Sequence, residues 1–550
     1  MKGGVAAIVA LVLVVSACTG SSEPAPRADT TPRINPPLPS FMRSACALPA
    51  RFVERIDRGY FPGRSPDVMV VPQEPNFFAA TTHSGPWEYL QEVPLVLYGP
   101  GFIREQGAIS VPREVTLADL APTFAELLDT PWVPDRSGRV LTEALLPPDQ
   151  RAGRTPRLIV TIVWDGGGDN VLQTWPDSWP HLEELMQKGT SIDNATVGSS
   201  PTVTPAVHAT IGTGAFPDRH GIVDIPLRID GRITGSWQDD SPAHLELPTL
   251  ADLYDRRTKN EAEIGLFAYE AWHLGMIGHG AEIKGGDKDV AVITTRTSGQ
   301  LITNSEFYTL PSYLFDVGGF EDDVHTTDLD DGKLDSAWMG NDILNDPAEV
   351  KMTPAWILYQ TRLLKTMLQT EGFGRDDVPD LFFTNYKQID KAGHTFRIAG
   401  PEIGELVRYT DDALGELVDF LDAEVGRNRW VLALTADHGQ APDLDSTGAW
   451  PIRTLELQDR IAQLFGVDRQ QLFAYNRPTG FWLNKDTVAD EDIAIPEIAE
   501  AFLDYRMRDE LRAGEELSGQ YRGRGDEHLF ASSFPSRRLP QVAACTGATP

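Results

Sequence analysis

The chain has 550 residues, of which 41% are hydrophobic, and this supplies enough apolar material for a large buried core. Its 80 Asp and Glu against 48 Lys and Arg give a formal net charge of −32 at pH 7. That balance argues against a broad basic surface for nucleic acid, so no nucleic-acid partner is expected, but a small phosphate ester held through metal ions remains compatible with it.

In chain order, residues 1–17 carry Lys2, an apolar run from Val5 to Val15, and Val-Ser-Ala directly before Cys18. This pattern resembles a bacterial lipoprotein signal, in which the cysteine becomes the lipidated first residue; an ordinary cleaved signal peptide is the alternative. Export is expected in both cases. In the first, the chain is a cell-membrane lipoprotein facing outside the cytoplasm, held only by its N-terminal lipid. No later apolar run is long enough to span a bilayer. Residues 18–44, rich in Ser, Pro, Thr and Arg, read as a flexible tether.

Residues 45–146 contain RSPD with an apolar run behind it, His83 in TTHSG, the strand-like VPLVLYG and the helix-like VTLADLAPTFAELL. A proline-bearing linker, 147–156, follows. The segment RLIVTIVWDGGGDN then predicts a buried strand over 158–164 that ends on Asp165 and a glycine turn. A helix is expected over PDSWPHLEELMQKG. In SSPTVTPAVHATIGTGAFPDRHG, Thr204 precedes Pro205, where a hydroxyl residue would cap a helix that starts on proline. A strand-end carboxylate and a helix-end hydroxyl thus face one crevice, the place where open α/β sheets bind ligands.

From Ile222 to about Asp380 the pattern is weaker. His273, His279 and Lys288 are pocket candidates or locally bonded residues. The acidic run EDDVHTTDLDDGKLD reads as a solvated loop, because Thr327 and Leu329 fall where a calcium loop needs oxygen ligands. Amphipathic helices are expected at 354–369 and 403–424. Two further signals follow apolar runs: TNYKQIDKAGH places Asp390 and His394 four residues apart, and ALTADHG places Asp437 beside His438. All three acidic groups are expected to end strands at one sheet edge.

The ordered set (strand-DG, PTxT, HG, DxxxH, DHG) resembles the alkaline phosphatase superfamily, most nearly its nucleotide pyrophosphatase/phosphodiesterase branch. The resemblance implies an α/β fold with a largely parallel central sheet and helices on both faces. It also implies a threonine nucleophile at Thr204 and two divalent metal ions. One would be held by Asp390, His394 and a further histidine, the other by Asp165, Asp437, His438 and the Thr204 oxygen. The mixed carboxylate and imidazole set suits zinc, with manganese or iron also compatible. The family's asparagine for a phosphoryl oxygen maps to Ile225, after Asp224, so that partner is missing here. The elements of 59–146 resemble what the family carries after its DHG motif. The chain therefore looks circularly permuted, with 157–545 forming the main part and an insert near the active site at roughly 225–350. On that reading the last ligand is His83 rather than His528, the only histidine after DHG. The permutation further implies that Cys46 and Cys545, left over once Cys18 is lipidated, meet in a disulfide that rejoins the ends.

The function implied is a two-metal phosphoester hydrolase acting on a small phosphoester through a phosphothreonine, with phosphodiesterase or nucleotide pyrophosphatase ranked first. A phosphomonoesterase of the same fold and a non-catalytic lipoprotein that binds a phosphorylated ligand are the alternatives.

Overall fold

Residues 38–79 and 83–548, with Met1, are described by the structure, a computed structural model. The signal segment, Cys18 and the tether up to residue 37 lie outside these residues. Nine strands form the central sheet: β1 (Leu95–Tyr98), β2 (Gly107–Ile109), β3 (Leu158–Trp164), β4 (Thr190–Ile192), β5 (Ile264–Phe267), β6 (Val290–Thr294), β7 (Leu301–Ile302), β8 (Asp380–Tyr386) and β9 (Trp430–Thr435). Their spatial order is β7-β6-β5-β8-β3-β9-β1-β4-β2. The five strands from β6 to β9 run parallel, and β1 closes against β9 antiparallel with Leu432 opposite Tyr98.

All seven residues of β3 are buried, as a parallel strand covered on both faces requires. Alternation along it divides the core. Ile159 and Val163 join the cluster that contains Val207 and Ile211 of helix Thr204–Thr213, on one face. Leu158, Val160, Ile162 and Trp164 join the other, with Leu363 and Leu364 of helix Pro354–Glu371 and Leu406 and Leu414 of helix Pro401–Leu421. The two expected amphipathic helices are these last two. Register pairs Tyr386 with Trp164 and Thr435 with Val163, so Asp165, Lys387 and Asp437 leave the sheet at one edge.

Three expectations need correction. Helix Ser40–Ala45 buries Phe41, Met42 and Ala45, so the last residues assigned to the tether are folded. The insert at roughly 225–350 is not a separate piece, because it contributes β5, β6 and β7 to the central sheet. The first half of the acidic run is helix Phe320–Asp328 rather than loop.

A second sheet was not foreseen. It is four-stranded, in the order Phe473–Arg477, Gly480–Leu483, Val68–Pro72, Phe530–Pro535, and antiparallel throughout. Val68, Val70, Phe481, Phe502 and Phe534 form its own core. Beside it Cys46 and Cys545 are joined by a disulfide with their Cα atoms 5.5 Å apart.

Candidate active site

Asp165 is the first residue after β3, and the turn behind it depends on Gly166, whose φ is +72°. A Cβ there would meet the Asp390 Cα at 2.9 Å, so only glycine allows this approach. Asp390 is not a strand end as expected. It lies in the first turn of helix Gln388–Phe396, with its N–H donating to the Asp165 carbonyl at 3.1 Å. His394 follows one helical turn on, on the same face.

Thr204 also departs from expectation. Val203 is the residue that caps helix Thr204–Thr213, and Thr204 is the first helical residue; its hydroxyl makes no cap bond. Threonine before proline fits either position, because Pro tolerates both of the first helical places. The consequence is chemical: Thr204 is buried, and its Oγ1 takes a hydrogen bond from Lys387 Nζ at 3.1 Å.

Two ligand groups are linked to this hydroxyl through Lys387, whose Nζ also contacts a carboxylate of each. His83, Asp390 and His394 place one ligand atom each within 4.8 Å of one another, and so do Asp165, Asp437 and His438. His83 Nε2 and His394 Nε2 lie 3.5 and 3.4 Å from the same Asp390 oxygen, Oδ1. His83 Nδ1 donates to the Thr202 carbonyl at 2.8 Å, and His438 Nδ1 to the Gly439 carbonyl at 2.9 Å. In the neutral ring this leaves a lone pair on each Nε2. His83 therefore turns a lone pair toward a carboxylate oxygen, an arrangement that a cation between them resolves. Asp390 Oδ1, Asp437 Oδ2 and His438 Nε2 are all buried without a hydrogen-bond partner. Orphaned buried acceptors of these types are what divalent metal ions satisfy, and the residues fit two such ions.

Electrostatics agree with that fit. Burial and the neighbouring His438 hold His83 well below the usual histidine range, so it is a neutral donor. Burial and the Asp165 charge raise Asp437 to about 6. For Asp165 and Asp390 burial acts upward and is the largest single influence, but the Lys387 ammonium together with His273 beside Asp165, and with His394 and His83 beside Asp390, outweighs it and holds both carboxyls below the usual carboxylate range. Lys387 bridges the groups, donating to Asp165 Oδ1 at 2.9 Å and pairing with Asp390 Oδ2 at 3.0 Å. Sequence reasoning passed over it, although it stands inside TNYKQIDKAGH.

His528 is exposed and bonds the Leu503 carbonyl, away from the site. His279 is engaged by Asp252 and the Leu245 carbonyl, and Lys288 donates to Ser305 on the surface. His273 does reach the site: its Nδ1 donates to the Glu270 carbonyl at 2.7 Å, its Nε2 lies 3.1 Å from Asp165 Oδ2, and with His208 it offers a further set of ligand atoms within 4.8 Å of one another around that carboxylate. Where the family asparagine was sought, Ile225 lines the cleft, while the Asp224 carboxylate accepts from Ile225 N–H and from Arg477 Nε at 3.0 Å. The cleft above Thr204 has a volume of ≈ 300 Å³, and Glu270, Trp272, Arg296, Lys391 and Arg477 contribute to its lining. Arg296 lies over the Trp272 ring at 4.6 Å and pairs with Glu270 at 3.2 Å.

Residues 159–492 match the family model described as Type I phosphodiesterase / nucleotide pyrophosphatase. An alkaline phosphatase, PafA, of Elizabethkingia meningoseptica is 22% identical over 401 residues, covering 62% of this chain and 72% of that protein. A protein named calcium-transporting ATPase, of Myroides odoratus, is 22% identical over 374 residues, covering 57% of this chain and 66% of its own length. The crystal structure of wild-type PafA superposes with a TM-score of 0.52 at 18% identity, over 64% of this chain and 77% of that one, which shows a shared fold.

Proposed function

Because this chain belongs to the type I phosphodiesterase / nucleotide pyrophosphatase family, whose members are phosphoric ester hydrolases, we propose that it cleaves phosphodiester or pyrophosphate bonds of a small substrate through a phosphothreonine on Thr204. The observation that carries this reading is one buried hydroxyl at a helix amino end that shares the Lys387 ammonium with a carboxylate from each of two sets of carboxylate and imidazole ligands. His83, Asp390 and His394 would hold one divalent ion. Asp165, Asp437 and His438, with the Thr204 oxygen, would hold the other, with zinc the leading candidate. Such a pair of ions supplies charge stabilisation for the attacking and leaving oxygens of an in-line displacement.

The chain's own residues do the rest. Helix Thr204–Thr213 presents Oγ1 at its amino end, where unpaired N–H groups favour negative charge. The fixed rings of His83 and His438 and the Asp390–Asp165 backbone bond leave the centre little freedom to relax, so the charge that develops in the transition state meets preorganised groups. Thr204→Ala removes no cap bond, so the variant should fold and keep its metals. It should lose turnover of p-nitrophenyl mono- and diesters by at least about 1,000-fold. Full activity in that variant would end the mechanism.

Arg296, Lys391 and Arg477 in the cleft support a second reading, monoester hydrolysis, since they could meet the additional charge of a dianionic phosphate. The ratio of kcat/KM for the mono- and diester probes decides between the two. Lipid anchoring at Cys18 belongs to the same proposal. Cys18→Ala should release the exported chain from the membrane fraction, and continued retention there would refute the anchor. Circular permutation is likewise our reading, supported by His83 joining Asp390 and His394 and by β1 lying beside β9.

A further inference from the structure

Among the described residues, Lys387 is the only hydrogen-bond partner of the Thr204 hydroxyl, and neither ligand set accounts for it. It occupies the turn between β8 and helix Gln388–Phe396, with a side chain 2% exposed. An ammonium has three donors and no acceptor. Lys387 donates to Asp165 Oδ1 at 2.9 Å and to Thr204 Oγ1 at 3.1 Å, and it forms an ion pair with Asp390 Oδ2 at 3.0 Å. One acceptor comes from each ligand group and the third is the nucleophile itself. The Trp272 ring, 5.8 Å from Nζ, limits water on the cleft side.

We propose that Lys387 is a catalytic residue: a fixed ammonium that positions the Thr204 oxygen and carries part of its negative charge, both as it attacks phosphorus and as it is expelled. This rests on Thr204 being the nucleophile. In the first step the Oγ1–P bond forms, the bond from phosphorus to the departing oxygen breaks, the hydroxyl proton passes to solvent, and the departing oxygen takes a proton from solvent. In the second, a water oxygen bonds to phosphorus, the P–Oγ1 bond breaks, one water proton restores the threonine hydroxyl and the other leaves with solvent. Lys387 keeps its protons throughout and acts as a charge. Because it is already desolvated and anchored by two carboxylates, it meets the developing charge without reorganisation.

A structural role is the competing account, in which Lys387 only neutralises Asp165 and Asp390. The test uses the mature chain with Lys387→Met, which keeps the length of the side chain and removes its charge, and with Lys387→Arg. Two quantities are read: kcat and KM on p-nitrophenyl mono- and diesters, and zinc affinity of the metal-free protein by competition with a chromophoric chelator. A catalytic Lys387 predicts kcat lowered about 100- to 1,000-fold on both esters. KM should stay within about threefold, zinc affinity should be equal or tighter because a positive charge has left the ligand groups, and the arginine variant should recover part of kcat. A kcat close to wild type, or a loss matched by about tenfold weaker zinc, overturns the proposal. If Lys387→Met does not fold, Lys387→Gln is read by the same two quantities. Full activity in Thr204→Ala would instead remove the reading beneath it, so the two failures are distinguishable.

Discussion

The parallel part of the central sheet and the four-stranded sheet both build buried cores, but they recruit their residues at different ranges. In the first, β3, β8 and β9 are largely apolar strands of six or seven residues, buried along their whole length, each followed within a few residues by chemistry: Asp165, Lys387 with Asp390, and Asp437 with His438. In the second, Val68–Pro72 lies between Gly480–Leu483 and Phe530–Pro535, strands more than 400 residues later. Local periodicity announces a strand that is buried on both faces. It says nothing of a partner at the far end of the chain. The site draws on both regions, because His83 comes from the front segment that the second sheet holds in place.

The largest effect should appear where the two regions meet. His83→Ala should lower metal content from two equivalents to one and activity by more than about 100-fold, since loss of a ligand should exceed the 10- to 100-fold cost typical of its supporting partners. His528→Ala should change neither. Metal analysis of the two variants checks this, and loss of metal in the second would move the ligand to the far end of the chain.

The next effect isolates the end sheet. Cys46→Ser or Cys545→Ser opens a link that spans 499 residues. Loop-closure reasoning puts the loss at about 6 kcal/mol, with measured values often lower. Urea unfolding should show that loss while the metal-loaded enzyme keeps its kcat at low temperature. An equal fall in kcat would mean that the two regions are more tightly coupled than this comparison holds.

How far each region could be read from sequence follows the same division. The Asp165, Asp390, His394, Asp437 and His438 positions were legible because each sits beside an apolar run and a glycine or helix signal. Lys387 was passed over because a lysine in a motif reads as surface; the signal available was its place directly after the strand-like stretch LFFTNY, where a charged group at the end of a buried strand must find partners. Thr204 was placed one position early, as a cap, because proline fits both of the first helical places. The insert was misjudged because β5 and β7 are only four and two residues long, too short to stand out from loop. Of the end sheet's surroundings only the Cys46–Cys545 disulfide was legible, by way of the family's chain order, and the sheet itself was not.

The smallest effect concerns pH and again separates the regions. Glu510, packed against the end sheet, is raised to about 7 by burial, although Trp450 Nε1 and the Arg453 N–H donate to it. A folded value above the unfolded one means that the contribution to stability is full below about pH 4.5 and is lost as pH rises through about 7. At about 1.4 kcal/mol per unit, Glu510→Gln should flatten the stability decline between pH 4 and 8 by about 1 to 3 kcal/mol, read by urea unfolding at both values. An unchanged slope would show that Glu510 is ionised in the fold.

The central claim is tested most directly by catching the covalent intermediate. Zinc-loaded enzyme mixed with a p-nitrophenyl ester, quenched in acid within the first turnover and mapped by peptide mass spectrometry, should carry one phosphoryl group on the peptide that contains Thr204, and the Thr204→Ala variant should carry none. A burst of nitrophenol with Thr204 unmodified, or a phosphoryl group on another residue, would contradict the account.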